Sequence, residues 1–294
     1  MNAKREPITL TPAMAEALLK TNYEKQRILN NAYAASLARD IESGRWIDGM
    51  VNDSIVVSDT GKLIDGQHRC KAVIMANKPI ETYLCTSVPE EHFNLMDCNK
   101  PRNTAQFVRM KDATVVLAIA RYANAIENGM TITGAANGRV AYYGKTARSV
   151  YATRTEILSY LEGHEPRLAY IAELAIKIYR SVNGGSKAAY GGALWTIAYI
   201  NGFRNLQEIG VFAEEMSKVM PSYEAIAQGK SKINKLVTDA KVSGVRADPV
   251  KYVGLILAIY DQYSVNGKLP RKNTANKAVE KYDRILASIK NDRA

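Results

Sequence analysis

Short β-rich runs and helical runs are interleaved over residues 5–105, and beyond them the apolar positions recur with a helical period. Thr11, Pro12 and the run AMAEALLKTN read as an N-capped helix with proline at its first position. A second helix is predicted from about Asn31 through Arg39 to Ser43, where Gly44 stops it. Ser54 to Ser58 is β-rich, Asp59 to Lys62 form a turn, and Leu63 and Ile64 resume a strand. Gly66 to Ala76 reads as a helix and Ile80 to Val88 as a strand. Pro89 with Glu90 and Glu91 opens a short helix toward Met96.

After that the strand signals stop. Asp112 to Asn128 sets Val115, Val116, Ile119, Tyr122, Ala123 and Ile126 on one helical face. Residues Gly129 to Thr153 read as a long loop or hinge. Helices are predicted over Thr155–Leu161, Pro166–Val182, Ala188–Tyr199, Leu206–Met216, Tyr223–Val242, Pro249–Gln262 and Thr274–Lys290. The expected fold class is therefore α+β. A small α/β domain at 1–110 precedes an all-helical domain at 111–294, with the hinge or loop at about 129–153.

Composition narrows the functional classes. Hydrophobic residues make up 47% and charged residues 23% of 294, which excludes wholesale disorder. The longest strongly apolar stretch, Tyr252 to Tyr260, is far short of the roughly 20 residues of a membrane helix, so no membrane partner is expected. The opening MNAKREPITL has no apolar run that could serve as a signal peptide, so the cytosol is the expected compartment. Cys70, Cys85 and Cys98 form no CxxC pair and should stay reduced there. His68, His92 and His164 are far apart, which argues against structural zinc. Charge is uneven: residues 1–110 hold 14 basic and 13 acidic residues, whereas 111–294 hold 26 and 16. A basic second part points to a polyanion partner, nucleic acid first, or else to a helical surface that is simply lysine-rich.

The segment from Lys62 to Ala72, KLIDGQHRCKA, carries the chemistry. A strand ends on Asp65, Gly66 permits a tight turn, and a helix begins with Gln67, His68 and Arg69. Such a helix N-terminus suits a phosphate, which Gly66 would let approach the backbone. Arg69 offers a bidentate contact, and His68 a donor or a proton shuttle. Asp65 is placed to hold a divalent cation or to orient a hydroxyl. The same residues also make an N-cap aspartate, a turn glycine and a surface arginine. Spacing alone leaves both readings open.

DGQHR with an alanine three residues after the arginine, following a hairpin, resembles the ParB/sulfiredoxin superfamily. That group includes the partition-protein N-terminal domain, sulfiredoxin, the free serine kinases and the DGQHR proteins of DNA phosphorothioation systems. The chain is more similar to the ParB-like proteins of bacteriophages and mobile elements. Their helix ending in G-x-W, hairpin, DGQHR, strand and D-x-x-x-x-R element read here as Gly44-Arg45-Trp46, Ser54–Leu63, Asp65–Arg69, Glu81–Val88 and Asp97–Arg102. The resemblance covers residues 8–110 well and the helical remainder loosely.

The resemblance implies a compact α/β fold whose glycine–arginine turn holds nucleotide phosphates, in the cytoplasm of a bacterial host. By position, Gly66, Gln67, His68 and Arg69 would bind phosphate. Asp65 would sit at a phosphoryl-transfer centre, with ATP or CTP and Mg2+ as cofactors, and His68 would assist proton transfer. Gln67 stands where sulfiredoxin has its catalytic cysteine, and Cys70 follows the arginine, so sulfinic acid reduction is not expected. His68 replaces the partition proteins' second arginine, and no clear helix-turn-helix or CTP-gated clamp pattern follows, so plasmid partition is not expected either.

Other segments keep two readings each. Lys100 and Arg102 make a second phosphate or DNA contact, or merely flank a capped helix. The stretch from Gly138 to Arg154 has four cations, three tyrosines and no acid. Arg139, Tyr142, Tyr143, Lys145, Arg148 and Arg154 suit nucleic acid by phosphate pairing and base stacking, or belong to a loop whose tyrosines pack on helices. Trp46 reads as a packing residue beside Gly44 ahead of a base-stacking platform, and Arg45 and Arg27 are further candidates to reach the site, which nothing in the sequence decides. Lys230, Lys232, Lys235 and Lys241 read as a solvated helix face.

The leading expectation is a nucleotide-binding phage or mobile-element protein acting on or next to DNA, by NTP hydrolysis or by phosphoryl or pyrophosphoryl transfer in DNA modification. A non-catalytic DNA-binding or regulatory module ranks second. A ParB-like nuclease ranks third, because Asp65 has only Asp53, Asp59 and Asp97 as neighbouring acids for a metal cluster. A structural phage interaction protein ranks last.

Overall fold

Residues Lys4–Leu10 form a strand, β1, that the hydrophobic pattern hides. The computed structural model describes residues 3–26, 28–49, 54–95, 104–108, 110–141 and 149–291. Its chain divides into two units, Met1–Arg102 and Asn103–Ala294. In the first, β1 is followed by α1 (Pro12–Lys20), α2 (Asn31–Glu42), β2 (Ile55–Ser58), β3 (Leu63–Asp65), α3 (Gln67–Ala76), β4 (Ile80–Val88) and a 3-10 helix, Glu90–Leu95.

The sheet order is β1-β4-β2-β3. Strand β1 runs antiparallel to β4, with Lys4 opposite Thr86 and Leu10 opposite Ile80. Strand β2 runs parallel to β4, while β2 and β3 form an antiparallel hairpin with a register shift at Val56 and Val57. Pro7 is tolerated because β1 lies at an edge. Helix α3 leads from the other edge strand to β4 and packs against both α1 and α2. Leu10, Ile55, Leu63, Cys70, Val73 and Ile80 are buried in the core beneath it.

The second unit contains a 3-10 helix (Thr104–Phe107), α4 (Ala113–Glu127), α5 (Ile132–Ala136), β5 (Arg139–Ala141), β6 (Ser149–Tyr151), α6 (Arg154–Ser181), α7 (Lys187–Ile200), α8 (Leu206–Ser217), α9 (Glu224–Ser243), α10 (Pro249–Ser264) and α11 (Thr274–Asn291). The unit is thus helical but not all-helical. Strands β5 and β6 pair antiparallel, with Arg139 opposite Tyr151, inside the stretch expected to be a loop. Val140, Val150 and Tyr151 supply the β-branched and aromatic residues that favour strands, within a stretch rich in Gly and Thr.

Helix α6 is also continuous where two helices were expected, with Pro166 inside it. Its start is fixed by a capping box: Glu156 N–H donates to Thr153 Oγ1 (3.0 Å) and Thr153 N–H to Glu156 Oε2 (2.7 Å). An internal proline costs about 3 kcal/mol. Burial of Leu161 before it and of Leu168 and Ile171 after it offsets that cost.

The boundary at Arg102 and Asn103 lies before the expected residue 110 because Ala105, Val108 and Met110 pack on the second core. Divided there, the first unit has 13 basic and 13 acidic residues, and the second carries the entire net charge of +11. Helix α7 is buried on every side from Ala189 to Ala198. A Cβ at Gly191 would lie 2.2 Å from Ile119 Cδ1, so the glycine admits α4 at close range. No helix among the described residues is long and apolar enough to cross a membrane.

Candidate functional site

Strand β3 ends on Asp65, and Gly66 turns the chain into α3 with φ of 103°, as its N-cap. A Cβ at Gly66 would sit 2.6 Å from Ile55 Cδ1, so both the backbone angle and the contact with β2 call for glycine. Asp65 Oδ1 accepts the Gly66 N–H at 2.7 Å. Its other oxygen, Oδ2, accepts from Arg69 Nη2 at 3.2 Å, and the same Nη2 donates to the Ser54 carbonyl at 2.7 Å. Arg69 thereby links the start of β2 to the end of β3. The Asp65 side chain is 48% exposed and that of Arg69 15%, so the carboxylate is the more open partner.

The next two motif residues face a different neighbour. Gln67 is buried, and its Oε1 accepts from Asn22 Nδ2 (3.2 Å). Gln26 Nε2 donates to Asn22 Oδ1 (3.1 Å) and to the Leu63 carbonyl (2.6 Å), while Leu63 brackets Asn22 in a parallel bridge. His68 is buried as well. Its Nε2 accepts the backbone N–H of Asn30 at 3.0 Å, and Tyr33 meets its ring edge-on at 5.2 Å. Asn30 Oδ1 in turn accepts the Tyr33 N–H and caps α2. Gln67 and His68 thus moor the approach to α2. Because Nε2 takes a backbone N–H, the neutral ring carries its proton on Nδ1, and Nε2 has no hydrogen to give a phosphate.

Cys70, after the arginine, faces the core, and burial pushes its thiol up to about 12. The Cys70 thiol is thus not a reactive thiolate. Among the described residues no three His, Cys, Asp or Glu side chains come together to hold a metal ion. Asp53, Asp97, Lys100 and Arg102 lie outside the described residues, as do Arg27, Tyr142, Tyr143, Lys145 and Arg148. Arg139 lies in β5, and Arg154 is the exposed first residue of α6.

Two polar clusters carried no signal in the sequence. At the β2–β3 turn, Lys62 Nζ lies 3.2 Å from Glu24 Oε2 and 3.5 Å from Glu90 Oε1. Thr60 donates to Glu90 Oε2 at 2.6 Å. A backbone hydrogen bond and Lys62 lower the Glu24 pKa, while Thr60 first and then Lys62 lower that of Glu90. In the second unit, Glu127 Oε1 accepts from Tyr160 (2.7 Å) and Trp195 Nε1 (3.2 Å), with His164 stacked on Tyr160. Burial, reinforced by Glu127, pushes the Tyr160 phenol far up, which marks a structural node. Compared with known proteins, the chain matches no family model, no curated protein and no solved structure.

Proposed function

We propose that the first unit binds the phosphates of a nucleoside triphosphate, ATP or CTP, at the Asp65–Arg69 turn, and that the protein acts on or next to DNA held by its second unit. One observation carries the reading: a half-exposed carboxylate and an arginine meet over a left-handed glycine at a helix N-terminus. Asp65 occupies the position that attracts an anion, and Arg69 is already oriented there by Ser54. An arriving phosphate competes with Asp65 for the guanidinium. A divalent ion on Asp65 would favour the exchange by neutralising its charge.

Among the described residues, the turn fits Mg2+ in its nucleotide-borne form. One exposed carboxylate would hold it, the remaining ligands being phosphate oxygens and water, as Mg2+ commonly prefers. When bound, the ion would supply charge neutralisation on the phosphates. Hydrolysis or phosphoryl transfer is the chemistry such a site performs in the superfamily the chain resembles. Asp65 would orient the ion and Arg69 would stabilise phosphoryl charge. His68 then serves as a positioning residue, because its Nε2 holds Asn30.

That engagement also favours a second reading, a regulatory module that grips phosphate without turnover. Thermal shift with ATP, CTP and GTP plus Mg2+, on wild type and Arg69→Ala, tests binding; phosphate release separates the two readings. Ligand at 100 times its Kd adds about 2.7 kcal/mol, a readable rise in Tm. No shift with any nucleotide, or an equal shift in Arg69→Ala, refutes nucleotide binding at the turn, and DNA binding unchanged in Arg69→Ala refutes a module that grips a DNA phosphate there.

A further inference from the structure

Helices α9, α10 and α11 border an open groove of about 420 Å³ with a cationic wall. Lys232 and Lys235 come from α9, Lys251 from the first turn of α10, and Arg271 from the loop before α11; Asp239 is the one carboxylate among its lining residues. Two of these lysines belong to the stripe that the sequence presents as a solvated face. The fold joins them to cations from two other elements.

The walls of this groove are fixed. Lys232 Nζ donates to the carbonyls of Pro270 (2.8 Å) and Arg271 (3.3 Å) and to Thr274 Oγ1 (2.9 Å), which fastens the loop. A Cβ at Gly254 would lie 2.4 Å from the Ala275 carbonyl oxygen, so the start of α11 rests directly on α10. A Cβ at Gly229 would lie 2.2 Å from Ile259 Cδ1, which sets α9 on α10 in the same way. Lys277 N–H donates to the Asn273 carbonyl, so α11 starts at the groove and turns its positive pole toward it. Lys235, Lys251 and Arg271 are exposed and make no ion pair among the described residues.

We propose that this groove binds the phosphodiester backbone of DNA. Exposed cations at three separate points around an open groove match successive phosphates better than one small anion. Arg271 offers the planar fork that pairs with a phosphate, and the lysines act as point charges. The unit that carries all of the +11 attracts a polyanion, and this groove offers exposed cations to receive it. This rests on the DNA half of the function proposed above and not on the nucleotide half.

The test is fluorescence anisotropy of a labelled duplex with the full chain over a salt series. It compares wild type, the triple variant Lys235→Gln/Lys251→Gln/Arg271→Gln, and a control matched in charge within the same unit, Lys111→Gln/Arg180→Gln/Arg284→Gln, with folding checked by circular dichroism. Each lost phosphate contact flattens the log K against log salt slope by about 0.9, so the groove variant should lose about 2 to 3 from it and bind roughly 10–100-fold more weakly. The control should stay near wild type. Equal behaviour of the two triples overturns the proposal, as does a wild type that binds anionic lipid vesicles but no DNA. Nucleotide-induced thermal shift of the groove variant should be unchanged, so a failure here leaves the nucleotide reading standing, and Arg69→Ala tests that one separately.

Discussion

The backbone N–H of Asn30 donates to Nε2 of His68 across 3.0 Å, tying the cap of α2 to the first turn of α3. His68→Ala would leave that N–H without its acceptor and a hollow beneath Tyr33, at a cost of about 1–3 kcal/mol. His68→Gln can keep an acceptor near the same point and should lose less. Urea denaturation of the two variants checks this. Equal stability of His68→Ala and wild type would remove His68 from its positioning role.

Gly66 and Ile55 are coupled by contact. Gly66→Ala meets a left-handed backbone, about 1–2 kcal/mol, and an overpacked contact of about 1–3 kcal/mol. Ile55→Val removes Cδ1 and alone costs about 0.5–1.5 kcal/mol. The double variant should be more stable than the sum of the two losses predicts. Strict additivity in a double-mutant cycle would count against the contact.

Asp65→Asn keeps an oxygen for the Gly66 N–H and removes the charge facing Arg69. Nucleotide binding without Mg2+ should then match or exceed wild type, while the gain on adding Mg2+ disappears. Arg69→Lys should not restore binding, because a lysine lacks the planar fork that reaches both Ser54 and a phosphate. Calorimetric titration with and without Mg2+ reads both effects. An undiminished Mg2+ dependence in Asp65→Asn would move the ion elsewhere.

Asp283 is half buried and accepts the Ile132 N–H at 2.7 Å, yet burial raises its pKa above the usual 3.8. A carboxyl whose folded pKa is raised binds its proton more tightly in the folded state. Its contribution is therefore favourable at low pH and is lost as pH rises from the unfolded value through the folded one. Asp283→Asn, which retains the acceptor, should raise Tm slightly at pH 7 and leave it unchanged near pH 3. A lower Tm at pH 7 would mean that the charge is compensated after all.

Local signals made most of the first unit legible. Thr11 with Pro12 marks α1, Gly44 ends α2, and Gly66 separates β3 from α3, each through backbone requirements that one residue imposes. Strand β1 escaped because most of it is exposed on an edge, so it shows no alternation, and Pro7 argues against a strand. The interior of α6 escaped for the reverse reason: Pro166 is a local stop signal that tertiary burial overrides.

At the turn, Gly66 could be read from spacing as the residue that bends the chain into α3, but the Asp65–Arg69 pairing could not. The sequence offers Asp65 as a cation ligand or as the N-cap, a place that Gly66 takes without a side-chain bond. The partners of Arg69, His68 and Gln67 could not be read either: Ser54, Asn30 and Asn22 stand 15, 38 and 45 residues away. No periodicity encodes such pairings. His68 therefore reads as a proton carrier in the sequence and as a mooring in the fold.

The division of charge at Arg102 and Asn103 has a kinetic consequence. A unit with no net charge meets small ligands by undirected diffusion, whereas a unit carrying +11 is steered toward polyanions at rates that fall steeply with ionic strength. Under the proposed function, DNA encounter should therefore slow more steeply with added salt than nucleotide capture does. Ionic strength would then bias which of the two proposed partners arrives first.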